Sequence, residues 1–214
     1  MLEENTANII ESISPLLPFL IDSKGFEVRR ESEGGSGSLL VFEAQKIKAS
    51  VVRRRVIAKN EIVCGDSTSV FKNRDDRFFA ILSDGMGSGC SASVVSRMCT
   101  GFISNMLSVG GIDVELISML NGFICGRRIG GDIECSATLD LLELYLMSGK
   151  ADVYKCGAAP SYVYRKGKLF KIRSKTMPIG ILKDVDLKHF SFNFCSGLLC
   201  FNISFTIAED FFLI

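Results

Sequence analysis

Two apolar runs, Ile62–Val70 and Arg77–Ser83, flank the polar stretch Lys72-Asn-Arg-Asp-Asp76, and the length of that turn restricts how the runs pair. A hairpin centred near residue 75 pairs positions whose numbers sum to about 150, which sets Asp66 opposite Asp84 with Cβ atoms roughly 4.5–5.5 Å apart. Ile62, Phe78 and Leu82 are the expected apolar surroundings. Like charges facing each other there repel and call for a cation or a shared proton. A hard divalent ion, Mn2+ or Mg2+, prefers oxygen ligands, and a pair of aspartates with a backbone carbonyl supplies them. Gly85 follows Asp84 and offers that carbonyl; with Gly87 and Gly89 it lets the chain turn sharply before a helix expected near Ser91, whose free amides attract anions. By spacing alone, a tight strand-to-helix connection with incidental aspartates stays open.

The rest of the chain bounds what surrounds this hairpin. Of 214 residues 47% are hydrophobic, enough for one sizeable core. With 25 basic and 24 acidic residues the net charge is +1, which gives no electrostatic drive toward nucleic acid. Eight cysteines without C-x-x-C spacing and a single histidine argue against a disulfide scaffold and an ordinary zinc site. His189, in a strand-like alternation, reads as a surface or edge histidine, so a histidine triad is excluded in practice.

Residues 2–22 carry a helical apolar stripe interrupted by Pro15 and Pro18, and Glu31–Ser38 reads as a hairpin loop. Strands are expected at 39–42, 49–57, 62–70 and 77–83, then at 137–147, 151–156, 161–164 and 169–172. Between the two sets lie helical stripes on Val95, Met98, Phe102 and Met106 and on Val114, Ile117, Leu120 and Ile124. Strands, two helices, strands is not βαβ alternation, so antiparallel sheets with segregated helices, an α+β fold, are expected. The tail 194–214 is apolar but broken by Asn202, Ser204, Glu209 and Asp210, too polar for a membrane span.

Gly65-Asp66-Ser67, Ser83-Asp84-Gly85-Met86-Gly87, Thr138-Leu139-Asp140, Cys156-Gly157-Ala158-Ala159-Pro160-Ser161 and Met177-Pro178-Ile179-Gly180 follow one another in an order that resembles the stage II sporulation protein E family of PPM-type metal-dependent serine/threonine phosphatases. The resemblance spans about residues 45–192. It implies a sandwich of two antiparallel β-sheets flanked by helices, with a Mn2+ or Mg2+ centre at one end and a metal-activated water in place of a side-chain nucleophile. By position, Asp84 resembles the aspartate bridging both ions, Gly85 the carbonyl ligand and Asp66 the carboxylate of one ion. The resemblance also implies a phosphoserine on an anti-anti-sigma factor as substrate, a cytoplasmic location with membrane anchoring left to an upstream region, and a homodimer among the admissible assemblies. The helices within 91–127 resemble the family's regulatory switch region.

The sequence also departs from the pattern. Gly157-Ala158-Ala159 stands where larger relatives carry an aspartate for a further metal. A later Asp-Gly and a C-terminal aspartate are missing: the family's spacing puts the first near Ser204-Phe205, and the one aspartate beyond residue 186 is Asp210. A shifted reading frame or a truncated gene is the expected origin of this tail, so the sandwich is expected to be incomplete at its C-terminal part. Three segments follow: 1–45, a helix and connecting strands; 46–192, a partial phosphatase-like domain; 193–214, an atypical apolar tail. The functional expectation is a phosphatase impaired by lost metal ligands, the alternative a non-catalytic remnant acting as a regulatory protein-binding module. Asp140 reads as a hydrogen-bonded structural carboxylate, and Arg53-Arg54-Arg55 as a solvated strand edge.

Overall fold

The computed structural model describes residues 26–33, 36–43, 45, 47–53, 57, 61–126, 135–165, 168–193, 199–203 and 209–213. The helix expected over 2–22 lies outside them. The chain divides into two compact units, Met1–Lys46 and Ile47–Ile214. In the first, β1 (Phe26–Glu33) and β2 (Ser36–Glu43) form an antiparallel hairpin, so most of the stretch read as a loop at 31–38 is itself paired strand.

The second unit holds β3 (Ser50–Arg53), β4 (Asp66–Lys72), β5 (Arg77–Asp84), α1 (Gly89–Leu107), α2 (Val114–Ile124), β6 (Leu139–Tyr145), β7 (Lys150–Cys156), β8 (Ser161–Arg165), β9 (Lys168–Ile172), β10 (Lys188–Asn193), β11 (Leu199–Ile203) and β12 (Glu209–Leu213). They make two five-stranded antiparallel sheets, ordered β10-β7-β6-β5-β4 and β3-β12-β11-β8-β9. The tail, which shows no turn chemistry, supplies the central strands of the second sheet, with Asp210 paired to Arg53 on one side and Asn202 on the other.

Strand alternation divides the first sheet into two faces. Phe79, Ile81, Leu139, Leu141 and Cys156 pack with Val95, Cys99 and Ile103 of α1 and Ile117, Leu120 and Ile124 of α2. Phe78, Ala80, Leu142, Leu144, Ala151 and Val153 pack with Val163 of the second sheet, against which Val51 and Ile172 also rest. The helices therefore cover one face and the second sheet the other.

The buried stripe of α1 differs from the expected one. Ala92, Val95, Ser96, Cys99, Thr100, Ile103 and Leu107 are buried, whereas Met98 is half-buried and Met106 exposed. Small residues let the helix lie close to the sheet, and close approach outranks side-chain size in choosing the face. Strand limits shift too: β4 starts at Asp66, and Ile62 is 86% exposed instead of lying among the buried neighbours of the aspartates. Gly65 and the bend before it break the alternation that would have carried Ile62 inward.

Asn121 interrupts the apolar stripe of α2 and is itself buried. Its Nδ2 donates to the carbonyls of Leu182 and Lys183 at 2.9 and 2.8 Å, and its Oδ1 accepts from the Gly180 N–H at 2.8 Å. One amide thus ties α2 to the connection that precedes β10. Asn121→Leu strands the buried Gly180 N–H and removes the partner of two part-buried carbonyls, and a buried group left unpaired costs about 1–3 kcal/mol. The expected result is a fall in unfolding free energy of about 2–4 kcal/mol by urea titration, with the denaturant slope unchanged.

Candidate metal centre

The β4–β5 turn sets the register locally. Asn73 Oδ1 accepts from the N–H groups of Asp75 and Arg77, both at 3.1 Å, and the Asn73 N–H donates to the Arg77 carbonyl at 2.9 Å. Asp76 takes the left-handed conformation, φ 54°, which aspartate tolerates better than most side chains. The resulting ladder pairs Lys72 with Phe78 and runs to Asp66 opposite Asp84. Asp66 is 2% exposed and Asp84 half-buried. By alternation both share the face of Val70 and Ala80, the interior between the two sheets.

The end of β5 is held from three directions. Thr138 Oγ1 accepts from the Asp84 N–H at 3.0 Å, the Thr138 N–H donates to the Asp84 carbonyl at 2.8 Å, and Ser83 Oγ donates to the Thr138 carbonyl at 2.8 Å. The Gly85 N–H reaches the Gly65 carbonyl at 3.3 Å. Above Gly85 lies the first turn of α1: a Cβ at residue 85 would fall 2.0 Å from the Ala92 carbonyl oxygen. Only glycine allows that approach. On the helix side Ser67 Oγ and Thr100 Oγ1 share a 2.8 Å hydrogen bond that fixes β4 under α1.

Carboxylates on directly opposed residues repel, so this arrangement suits a cation. The two carboxylates and the carbonyl of a glycine held rigidly beside them form a hard-oxygen donor set of the kind Mg2+ and Mn2+ accept. No group of three or more His, Cys, Asp or Glu side chains is placed to hold a metal among the described residues. Cys64, Cys90, Cys99, Cys125, Cys135 and Cys156 form no disulfide; Cys64 is a small buried residue and Cys90 is exposed. Burial pushes the thiols of Cys99 and Cys156 up to about 12, which makes them inert.

The remaining highlighted residues lie elsewhere or act structurally. His189 sits on the edge strand β10, stacked on Tyr154 and hydrogen-bonded through Nε2 to Asp152 Oδ1 at 2.9 Å. Arg53 is exposed, and its Nη1 donates to Thr68 Oγ1 at 3.4 Å. Asp140 is buried and meets Lys155 Nζ and Ser161 Oγ. Sequence reasoning missed Lys155, although a lysine in the inward series Ala151, Val153, Lys155 is itself a signal.

A sequence model of the stage II sporulation protein E (SpoIIE) family matches residues 74–204. The chain belongs to that family. It is 30% identical over 149 residues to stage II sporulation protein E of Bacillus subtilis, covering 69% of this chain and 18% of that protein. The chain thus spans about a fifth of the length of its curated relatives, 18% and 21% for the Bacillus subtilis and Priestia megaterium proteins. Among solved structures it is similar to the PP2C phosphatase domain with a fragment of the regulatory domain of SpoIIE from Bacillus subtilis. That match has a TM-score of 0.71 at 24% identity and covers 91% of this chain and 58% of the other. It is also similar to RsbX in complex with magnesium, TM-score 0.57 at 18% identity over 82% and 77% of the chains. The fold of this SpoIIE-family chain is accordingly the PP2C phosphatase sandwich, the α+β architecture expected from its sequence. No described helix is long and apolar enough to cross a membrane.

Two outcomes test the local geometry. Gly85→Ala is expected to lower unfolding free energy by more than about 3 kcal/mol, because backbone rather than a flexible side chain meets the new methyl. Gly101→Ala, at a helical position where a Cβ meets nothing within 4 Å, is expected to raise it by about 0.5–1 kcal/mol. Chemical denaturation of both variants reads the contrast. The second outcome concerns acid. Burial would raise the Asp152 carboxyl, but hydrogen bonds from Lys150, Ser191 and His189 outweigh it and hold the group below its ordinary value. A depressed carboxyl stabilises the fold above its unfolded value near 4 and loses that contribution as pH falls through the folded value. Stability is therefore expected to drop below about pH 4, and Asp152→Asn to flatten that limb of the profile.

Proposed function

We propose that this SpoIIE-family chain is a divalent-metal-dependent protein serine/threonine phosphatase domain, with the phosphatase-like part over 46–192, whose turnover is impaired. The single observation that carries the reading is Asp66 opposite Asp84, beside a glycine that tolerates no side chain, on the inner face of a PP2C sandwich. Asp84 and Asp66 would hold Mn2+ or Mg2+ through their carboxylates and Gly85 through its carbonyl. When bound, such ions activate water and neutralise charge on the transferring phosphoryl group. The chain's own contribution is rigidity: Thr138 pins the backbone of Asp84 on both its N–H and carbonyl, and Ala92 stops Gly85 from shifting. The absence of a histidine base fits this chemistry, because no side-chain nucleophile is required.

The substrate in this reading is a phosphoserine on an anti-anti-sigma factor, met in the cytoplasm. A two-ion centre needs more carboxylates than Asp66 and Asp84, and Asp210 lies inside β12 between β3 and β11 without a following glycine. One ion would be held moderately and the second poorly. A second reading, a non-catalytic remnant that binds a partner protein, is favoured by the lack of a three-residue ligand cluster among the described residues.

Manganese titration followed by a phosphoserine-peptide assay separates the readings. The expected result is Mn2+ binding that Asp84→Asn abolishes, with turnover at or near background. Adding Mn2+ should raise the melting temperature of the parent and leave that of Asp84→Asn unchanged. Robust hydrolysis by the 214-residue chain, lost in Asp84→Asn, would sink the impairment and leave the metal centre standing. No Mn2+ binding would sink the phosphatase reading.

A further inference from the structure

The interior between the sheets is apolar around Phe78, Leu142, Leu144 and Val153 and turns polar toward Asp66 and Asp84. In that polar end Asp140, Lys155 and Ser161 form a closed buried network. Lys155 Nζ donates to Asp140 Oδ2 and to Ser161 Oγ, the latter at 2.7 Å, and Ser161 Oγ donates to Asp140 Oδ2 at 2.7 Å. Asp140 and Lys155 sit opposite each other on β6 and β7 of the first sheet, and Ser161 begins β8 of the second. The network therefore joins the sheets through their interior. Both donors converge on Oδ2, while Oδ1 is buried without a hydrogen-bond partner among the described residues.

A buried carboxylate oxygen with no donor costs about 1–3 kcal/mol or more, and a lysine–aspartate pair inside a core is often no better than hydrophobic residues of the same volume. Stability alone gives no reason to keep this arrangement. Register supplies one. Asp140 faces Leu82 on β5, two residues before Asp84, and falls on the same interior face, so Asp84 is its diagonal neighbour with Cβ atoms roughly 7 Å apart. A gap of that size is one that a single bridging water can span.

We infer that Asp140 is a positioning residue for the metal centre: anchored through Oδ2 by Lys155 and by Ser161 of the opposite sheet, it offers Oδ1 to a water of the Asp66–Asp84 site. The inference rests on the metal-centre reading above. Groups one shell out from a metal fix the orientation of what binds it, and losing one commonly weakens affinity about 10–100-fold. The same contact makes the spacing of the two sheets felt at the metal.

Two charge-balanced double variants test this by Mn2+ titration with electron paramagnetic resonance, alongside the parent and Asp84→Asn. Asp140→Leu with Lys155→Met removes the acceptor without stranding a charge; its Mn2+ affinity is expected to fall about 10–100-fold at an unchanged melting temperature. Asp140→Asn with Lys155→Met keeps an oxygen acceptor and is expected to recover most of that affinity. Ser161→Ala, which removes only the donor from the second sheet, is expected to weaken Mn2+ about five-fold, the equivalent of one hydrogen bond, and carries the test if the Leu/Met pair does not fold. Equal affinity in the parent and every Asp140 and Ser161 variant, with Asp84→Asn still abolishing binding, overturns the inference alone. Equal losses in the Leu and Asn doubles also overturn it, because they point to packing instead of the acceptor. A parent that binds no Mn2+ overturns it together with the metal-centre reading.

Discussion

Everything at the candidate centre depends on one hairpin register. The turn at Asn73–Asp76 is closed by a side chain that accepts from two backbone amides, and from there the ladder runs without a bulge to Asp66 opposite Asp84. A slip of β4 by one residue against β5 would turn Asp66 from the sandwich interior to the helix face, and would carry Phe71 off the face where Phe79 and Ile81 pack. The apolar cost of that exchange protects the geometry. Two repelling groups are thus held together by residues that have no chemistry of their own.

The two faces of the first sheet divide the labour. On the helix side, small residues of α1 bring the helix backbone close enough for Ala92 to cover Gly85, and Ser67 and Thr100 join strand to helix. On the sandwich side, the apolar end supplies cohesion and the polar end holds carboxylates. Asn121 and Thr138 then link pieces that are distant in sequence: Asn121 fastens α2 to residues 180–183, and the Ala137 N–H and carbonyl both pair with Ile179 next to them. The result is a candidate centre whose proposed ligands come from one hairpin and whose rigidity comes from four other segments.

Membership of the SpoIIE family and the PP2C fold fit this division: the matching residues 74–204 carry β5 with Asp84 and Gly85, both helices and the segments at Thr138 and Ile179 that hold them. The second sheet is a different matter. Its middle is formed by β11, which still falls inside the family match, and β12, which lies beyond it, and backbone pairing there proceeds through strand-forming apolar residues.

The sequence by itself determined the opposed aspartates, the glycine beside them, the strand–helix–strand order and the edge position of His189, because each follows from local turn length, side-chain period or backbone permissiveness. It did not determine which face of α1 turns inward. Met98 and Phe102 are the larger apolar residues, yet Cys99 and Thr100 are the more deeply buried, because close packing on the sheet selects for small side chains. Ile62 is exposed since a bend ended the alternation before reaching it. Lys155 was legible as a charge at an inward position, but its partners Asp140 and Ser161 lie on different strands, and Ser161 on a different sheet. The placement of the tail strands also had to wait for the tertiary structure. Pairing between strands far apart in sequence is decided by which edges the rest of the fold leaves open, and no local pattern encodes that.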